Sequence, residues 1–312
     1  IMNLLGLCRI LKSNKTKEDL KLAIKDFKAA YLKEINTQDS LEAFRNFVNA
    51  SVNLYDFEKT IGNRQIAVEY FKEALRFLEN NESFYSKNEL VILQIIRIYK
   101  RFVNIKKVIS YLEKLINQNN NRPLTLCSYI YNNCFFSEWD QEKFLHYSNM
   151  LNKILPVYDK KKLVPLSQSI KNKKIKIGFF SADIKSNHSV TYFLKTIINH
   201  YDKDRFEIYL YFNNKKTFED QTTKYFKNLI NKFVNIYVLS DERAINLIRE
   251  DKIDIFIDLM GITSESRLTL VKNRVSPVQI LWCGYCNTTG VDGMDYILSD
   301  KNLIYNAEKH LY

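Results

Sequence analysis

The chain has 312 residues, 46% of them apolar, with 47 Lys and Arg set against 35 Asp and Glu. That length fits two domains, and the apolar share is enough to fill ordinary globular cores. The formal net charge is +12, but the lysines are spread along the chain rather than gathered into a block. This fits a compositionally biased, solvated surface better than a nucleic-acid footprint. The five cysteines show no framework spacing, which argues for a reducing compartment and a cytoplasmic protein. No apolar run reaches transmembrane length, so no membrane partner is expected. The opening residues lack the basic segment and small-residue cleavage site of a signal peptide. The first residue is Ile1 rather than Met, so the sequence reads as incomplete at its front.

From Lys17 to about Leu155 the apolar period is helical. Leu20, Ala23, Ile24, Phe27 and Tyr31 recur at three- and four-residue steps. In the stretch 67–75, Ala67, Phe71 and Ala74 share one face, where small residues admit a partner helix and the aromatic fills the gap beside them. Asn80-Asn81 follows. This is the pattern of the second helix of a tetratricopeptide repeat, and Val108, Leu112 and Leu115 before Asn119-Asn120-Asn121 echo it. The offset between the two segments exceeds the usual ~34 residues, so an irregular helical bundle is the alternative. Ser137, just before Glu138, reads as the N-cap of a further helix. A lysine-rich linker, 159–174, ends the helical part.

Beyond it the period changes. Strands are predicted at 175–180, 206–212, 234–239, 253–259 and 278–282, with a last one starting at 296–298. Helices are predicted at 190–200, 217–233, 242–250 and 265–272. Repeated βα units of this length imply a parallel sheet covered on both faces. The fold class is therefore α + α/β, a helical region followed by a Rossmann-like lobe. The predicted divisions are 1–120 (tetratricopeptide-like helices), 121–173 (helical connector and linker) and 174–312 (parallel-sheet lobe).

In such sheets ligands bind beyond the carboxyl ends of the strands. Three predicted strands run there into polar loops. The first holds Ser181, Asp183, Asn187 and His188; the second is 258–263; the third is 283–290. The chain has only 7 Gly, and Gly261, Gly284 and Gly290 lie in these loops, where backbone must turn sharply or approach a ligand. His188 is a candidate general base because imidazole titrates near working pH, against the alternative of a surface or capping residue. Asp258 is a candidate for orienting a hydroxyl, against a capping role. Asn287, Thr288, Thr289 and Gly290 are candidate donors to a phosphate or sugar, against a simple polar turn. Cys283 and Cys286 form a CxxC. Redox chemistry wants the first Cys at a helix N-terminus, yet 287–293 carries two Gly and two Thr and is a poor helix start. One CxxC also lacks the second ligand pair of a zinc site.

Taken together, the three loops resemble the catalytic region of the O-linked N-acetylglucosamine (O-GlcNAc) transferase and SPINDLY-like family. The matching runs are 176–183, His188, 192–194, 253–255, 258–259 with Gly261 and Thr263, 267–268, and 277–282 followed by Gly284-Tyr285, 287–290 and 294–296. The resemblance implies the first half of a GT-B glycosyltransferase with helical repeats before it. It implies an inverting transfer, without a metal or other cofactor, of GlcNAc from UDP-GlcNAc to Ser or Thr hydroxyls of proteins; the SPINDLY branch uses fucose. It makes His188 the catalytic candidate, and Asp258, Gly261, Thr263, Tyr285, Asn287, Thr288, Thr289 and Gly290 the substrate-binding candidates. The implied partners are protein acceptors, held by the helical repeats, and a UDP-sugar, with no nucleic acid. Ile262 stands where family members often carry a ring residue, Cys286 where they carry Pro, and Tyr192 where some carry a second His. The resemblance also implies a second lobe after Tyr312, so the chain is expected to be an incomplete enzyme, inactive alone. A non-catalytic helical-repeat scaffold with a relic lobe is the alternative.

Overall fold

The structure, a computed structural model, describes residues 2–11, 16–33, 38–80, 88–101, 103–118, 122–136, 140–158, 173–302 and 304. The chain divides into two compact units, Ile1–Asn120 and Asn121–Tyr312.

In the first unit the described helices are α1 (Met2–Ile10), α2 (Lys17–Lys33), α3 (Gln38–Thr60), α4 (Arg64–Glu79), α5 (Glu89–Arg101) and α6 (Ile105–Asn117). Their period predicts which face is buried. Leu20, Ala23, Phe27 and Tyr31 of α2 are buried, with Ile24 at the margin. Against them pack Phe44 and Phe47 of α3. Gly6 of α1 lies so close to the Phe27 ring that a Cβ there would meet it at 2.5 Å. The α6 face is as expected: Val108, Leu112 and Leu115 are buried, Tyr111 stacks on Tyr99 of α5 at 5.6 Å, and Asn104 caps the helix through the Lys107 amide. The side chains of Ala67, Phe71 and Ala74, and residues Asn81 and 119–121, lie outside the described residues, as does Ser137.

The second unit opens with two helices, α7 (Pro123–Asn133) and α8 (Gln141–Ile154). Pro123 stands in the first turn of α7, where its missing N–H costs nothing. Asp140 is the N-cap of α8, its carboxylate accepting from the Lys143 amide at 2.9 Å. Six strands follow: β1 (Ile175–Ser181), β2 (Phe206–Phe212), β3 (Lys232–Asn235), β4 (Ile255–Asp258), β5 (Val278–Trp282) and β6 (Tyr296–Leu298). All pair in parallel, in the order β3-β2-β1-β4-β5-β6. This is the doubly wound order, whose direction of winding reverses between β1 and β4. Helices α9 (Ser189–His200), α10 (Gln221–Leu229), α11 (Asp241–Glu250) and α12 (Leu268–Lys272) link the strands. On one face Leu194 and Ile198 of α9 and Phe226 of α10 close over Phe179, Leu210 and Phe212.

Two predicted boundaries shift, each for a local reason. The helix expected at 217–233 is a 3-10 turn, Lys216–Phe218, followed by α10. Asp220 and Thr223 form a capping box that starts it at Gln221. Its far end is cut by Asn231, which exchanges hydrogen bonds with Ile208 through side chain and backbone. The chain is thereby recruited to the sheet early, so β3 lies at 232–235 rather than 234–239. After Asn235 its own side chain accepts from the Tyr237 amide and turns the chain. The helix expected from Glu265 starts at Leu268, because Glu265 sits at φ 63°, a left-handed conformation that no helix carries.

Candidate functional site at the carboxyl edge of the sheet

Strands β1, β4 and β5 are neighbours in the sheet, so their three loops form one continuous rim at the switch point. The first and second loops meet through Met260. Its Sδ accepts from the Ala182 amide at 3.2 Å and the Ser181 hydroxyl at 3.5 Å. The second and third loops interlock through glycines. At Gly261, which sits at φ 58°, a Cβ would lie 2.6 Å from the Tyr285 Cβ. At Gly284 a Cβ would lie 1.7 Å from the Leu259 carbonyl oxygen. Here scarce glycine marks close approach of backbone to its neighbours, a role distinct from ligand contact.

His188 occupies the N-cap position of α9 in extended backbone, with no side-chain capping bond. Its Nε2 lies 3.6 Å from the Asp183 Oδ1, and the same oxygen pairs with the Lys185 ammonium at 3.0 Å. Its Nδ1 is buried and has no hydrogen-bond partner among the described residues. The loop is held from outside: the Asp183 carbonyl accepts from the Thr191 hydroxyl, and the Ser186 amide donates to Asp220 at 2.7 Å. The arrangement is a partly exposed imidazole 3.6 Å from a carboxylate, an ion-pair distance once the ring is protonated and longer than a hydrogen bond.

Asp258 ends β4 and is buried. Its carboxylate accepts from the amides of Met260 at 2.8 Å and Gly261 at 3.3 Å. Burial pushes its pKa up to about 7, with these amides pulling the other way. Its oxygens serve the backbone of their own loop rather than the next helix, whose N-cap is Arg267. Thr263 likewise turns inward, its hydroxyl donating to the Met260 carbonyl at 2.7 Å.

The third loop rests on α7 and α8. Tyr285 is buried; its hydroxyl lies 3.7 Å from the Cys134 Sγ, and its ring leans on Tyr131. Burial pushes the Tyr285 pKa up. Asn287 also reaches Cys134 from the other side of Cys286. Thr289 is buried, its hydroxyl accepting from the Val291 amide, and Thr288 accepts from the Gly290 amide. Thr288 also lines a cavity of ≈ 490 Å³ that opens beside β6, with Asp295, Tyr296, Asp300 and Lys301. Gly290, at φ 62°, is pressed on Ser148 of α8.

Cys283 and Cys286 are both free thiols. Among the described residues no helix follows them, and burial raises the Cys283 pKa, the reverse of what a redox cysteine needs. Among the described residues no three His, Cys, Asp or Glu side chains gather at metal-binding spacing, and no helix is long and apolar enough to cross a membrane.

Several residues that build this rim were not among the candidate site residues. Met260 joins two loops from an ordinary apolar position. Gln279, fully buried, donates to the Val271 and Gly293 carbonyls and accepts from the Val275 amide. Asn152 of α8 bonds the third loop from more than a hundred positions away in sequence.

The chain thus carries a doubly wound α/β lobe, its polar loops gathered at the switch point, preceded in sequence by a separate helical unit. Residues 143–308, more than half of the chain, match glycosyl transferase family 41, and the chain belongs to that family. It is 34% identical over 131 residues to an Arabidopsis thaliana protein named probable UDP-N-acetylglucosamine–peptide N-acetylglucosaminyltransferase SPINDLY, a stretch covering 41% of this chain and 14% of that protein. A Caenorhabditis elegans UDP-N-acetylglucosamine–peptide N-acetylglucosaminyltransferase is 29% identical over 137 residues, covering 42% of this chain and 12% of that protein. A solved structure of a mutant Thermobaculum terrenum O-GlcNAc transferase superimposes with a TM-score of 0.68 at 19% identity. It matches 100% of this chain and 55% of that one. At that identity the likeness is one of fold. The chain spans about half of that structure and about one-seventh of the Arabidopsis relative.

Proposed function

We propose that this chain carries the first catalytic lobe of a cytoplasmic protein O-glycosyltransferase, moving GlcNAc from UDP-GlcNAc to Ser or Thr hydroxyls. The observation that carries the reading is the joining of three loops at the sheet's switch point in a family 41 lobe, with His188 beside Asp183 on that rim. In this reading His188 takes the proton of the acceptor hydroxyl as its oxygen attacks the anomeric carbon. UDP departs from the opposite face, so the anomeric centre inverts. Asp183, 3.6 Å away, stabilises the imidazole once it is protonated. Charge on the departing diphosphate is met by protein N–H and ammonium donors, Lys185 among them, rather than by a metal. The helical unit at 1–120 holds the acceptor protein.

The test is transfer of labelled sugar by the full-length protein to a Ser- and Thr-rich protein acceptor, offered UDP-GlcNAc and, separately, a nucleotide-fucose donor. Label on hydroxyl side chains from UDP-GlcNAc is the expected result. Label only from the fucose donor overturns the choice of sugar. No label from either donor favours the non-catalytic scaffold.

A further inference from the structure

The Asn152 side chain joins α8 to the third loop through both ends of its amide. Its Nδ2 donates to the Gly290 carbonyl at 2.6 Å, and its Oδ1 accepts from the Asp292 amide at 2.9 Å. The Lys272 ammonium reaches the same Oδ1 at 3.3 Å and pairs with Asp292 at 2.6 Å. One planar group thus grips the backbone on both sides of Val291. Gly290 itself lies against α8, so close that a Cβ there would meet the Ser148 Oγ at 2.5 Å and only glycine allows the approach. The residues just before, Asn287, Thr288 and Thr289, bond mainly within their own loop. Outside their loop, Asn287 reaches the Cys134 Sγ at 3.9 Å, a weak contact, so the Asn152 clamp is the stronger tie between this turn and the helices.

We propose that Asn152 is a positioning residue of the transferase: it sets where Asn287–Gly290 stands on the rim, and so how that loop meets the sugar nucleotide. The proposal rests on the transferase reading above. It makes α8 part of the catalytic unit, with its inner face serving the reaction.

Two measurements on the same variants test it. Hydrogen exchange is followed on the 312-residue chain, comparing the segment 284–293 with strands 175–181 and 206–212. Kinetics with UDP-GlcNAc are followed on the full-length protein. Asn152→Ala removes every bond. Asn152→Asp keeps the acceptor for Asp292 and Lys272 but loses the donor to Gly290, and serves if the alanine variant folds poorly. Asn149→Ala, exposed on the same helix, controls for a change in the helix itself. The expected result is loop exchange faster by roughly tenfold in Asn152→Ala, the scale of a few lost hydrogen bonds. Strand exchange stays unchanged, kcat falls, and Asn149→Ala behaves as wild type. Loop exchange that stays slow, or that rises in step with the strands, overturns the clamp. A loosened loop with unaltered kinetics overturns its role in the reaction. A wild-type protein without activity overturns the transferase reading and the proposal with it, while the exchange contrast still reports whether the clamp exists.

Discussion

The two units bury their glycines and polar groups on different terms. In the helical unit the close contacts lie between helices near in sequence, as when Gly6 meets Phe27 or Asn104 caps its own helix. Gly62, between α3 and α4, sits at φ 87° with nothing within 4 Å of the position a Cβ would take. In the sheet unit the tight contacts link segments that are distant in sequence, and two of them are against backbone. Gly284 faces the Leu259 carbonyl, Gly293 the Val271 carbonyl and Gly290 the Ser148 side chain. A helical hairpin yields by tilting. A rim of interlocked loops has no free direction in which to yield.

The largest expected effect follows from that difference. Gly284→Ala places a methyl group 1.7 Å from a backbone oxygen, so the strand-end loops must separate. A loss of about 4 kcal/mol or more is expected, at the severe end of single substitutions. Gly62→Ala meets no atom and carries only the left-handed penalty of about 1–2 kcal/mol. Denaturant midpoints of the two variants check the comparison, which fails if they lose stability equally.

A smaller effect concerns Asp258. Its folded pKa of about 7 lies above the ordinary 3.8. Between about pH 4 and 7 the folded state therefore holds a proton that the unfolded state has released. Stability from this group is present below the unfolded pKa and is lost as pH rises through 7. Asp258→Asn removes that term, so the fall in melting temperature between pH 4 and 7 becomes shallower. Equal slopes in wild type and variant would place the charge elsewhere.

Much of this was legible in the sequence, for a physical reason. Runs such as Phe206–Phe212 and Val278–Trp282 are apolar enough to be strands buried on both faces, and both lie where predicted. Residues that match a family's loops were found by order and spacing. What was not legible were the decisions made by polar side chains. Asn231 ends α10 and begins β3 by bonding to Ile208, and nothing in the local pattern distinguishes it from Asn228, which stays helical. The helices α7 and α8 read as a connector, yet Asn121–Tyr312 is one compact unit. Cys134, Ser148 and Asn152 meet the third loop across a sequence separation that leaves no periodic trace. Asp258 and Thr263 carried the chemistry of ligand contacts, and their bonds go to their own loop.

The proposed transfer places His188 at the reacting end of the rim. It is tested most directly by His188→Ala in the full-length protein, with kcat for transfer from UDP-GlcNAc and the UDP dissociation constant measured side by side. The account predicts that kcat falls by roughly a hundred- to ten-thousand-fold, the contribution of a positioned general base, while UDP binds almost as before. Weakened UDP binding with kcat intact, or no change in either, would contradict it.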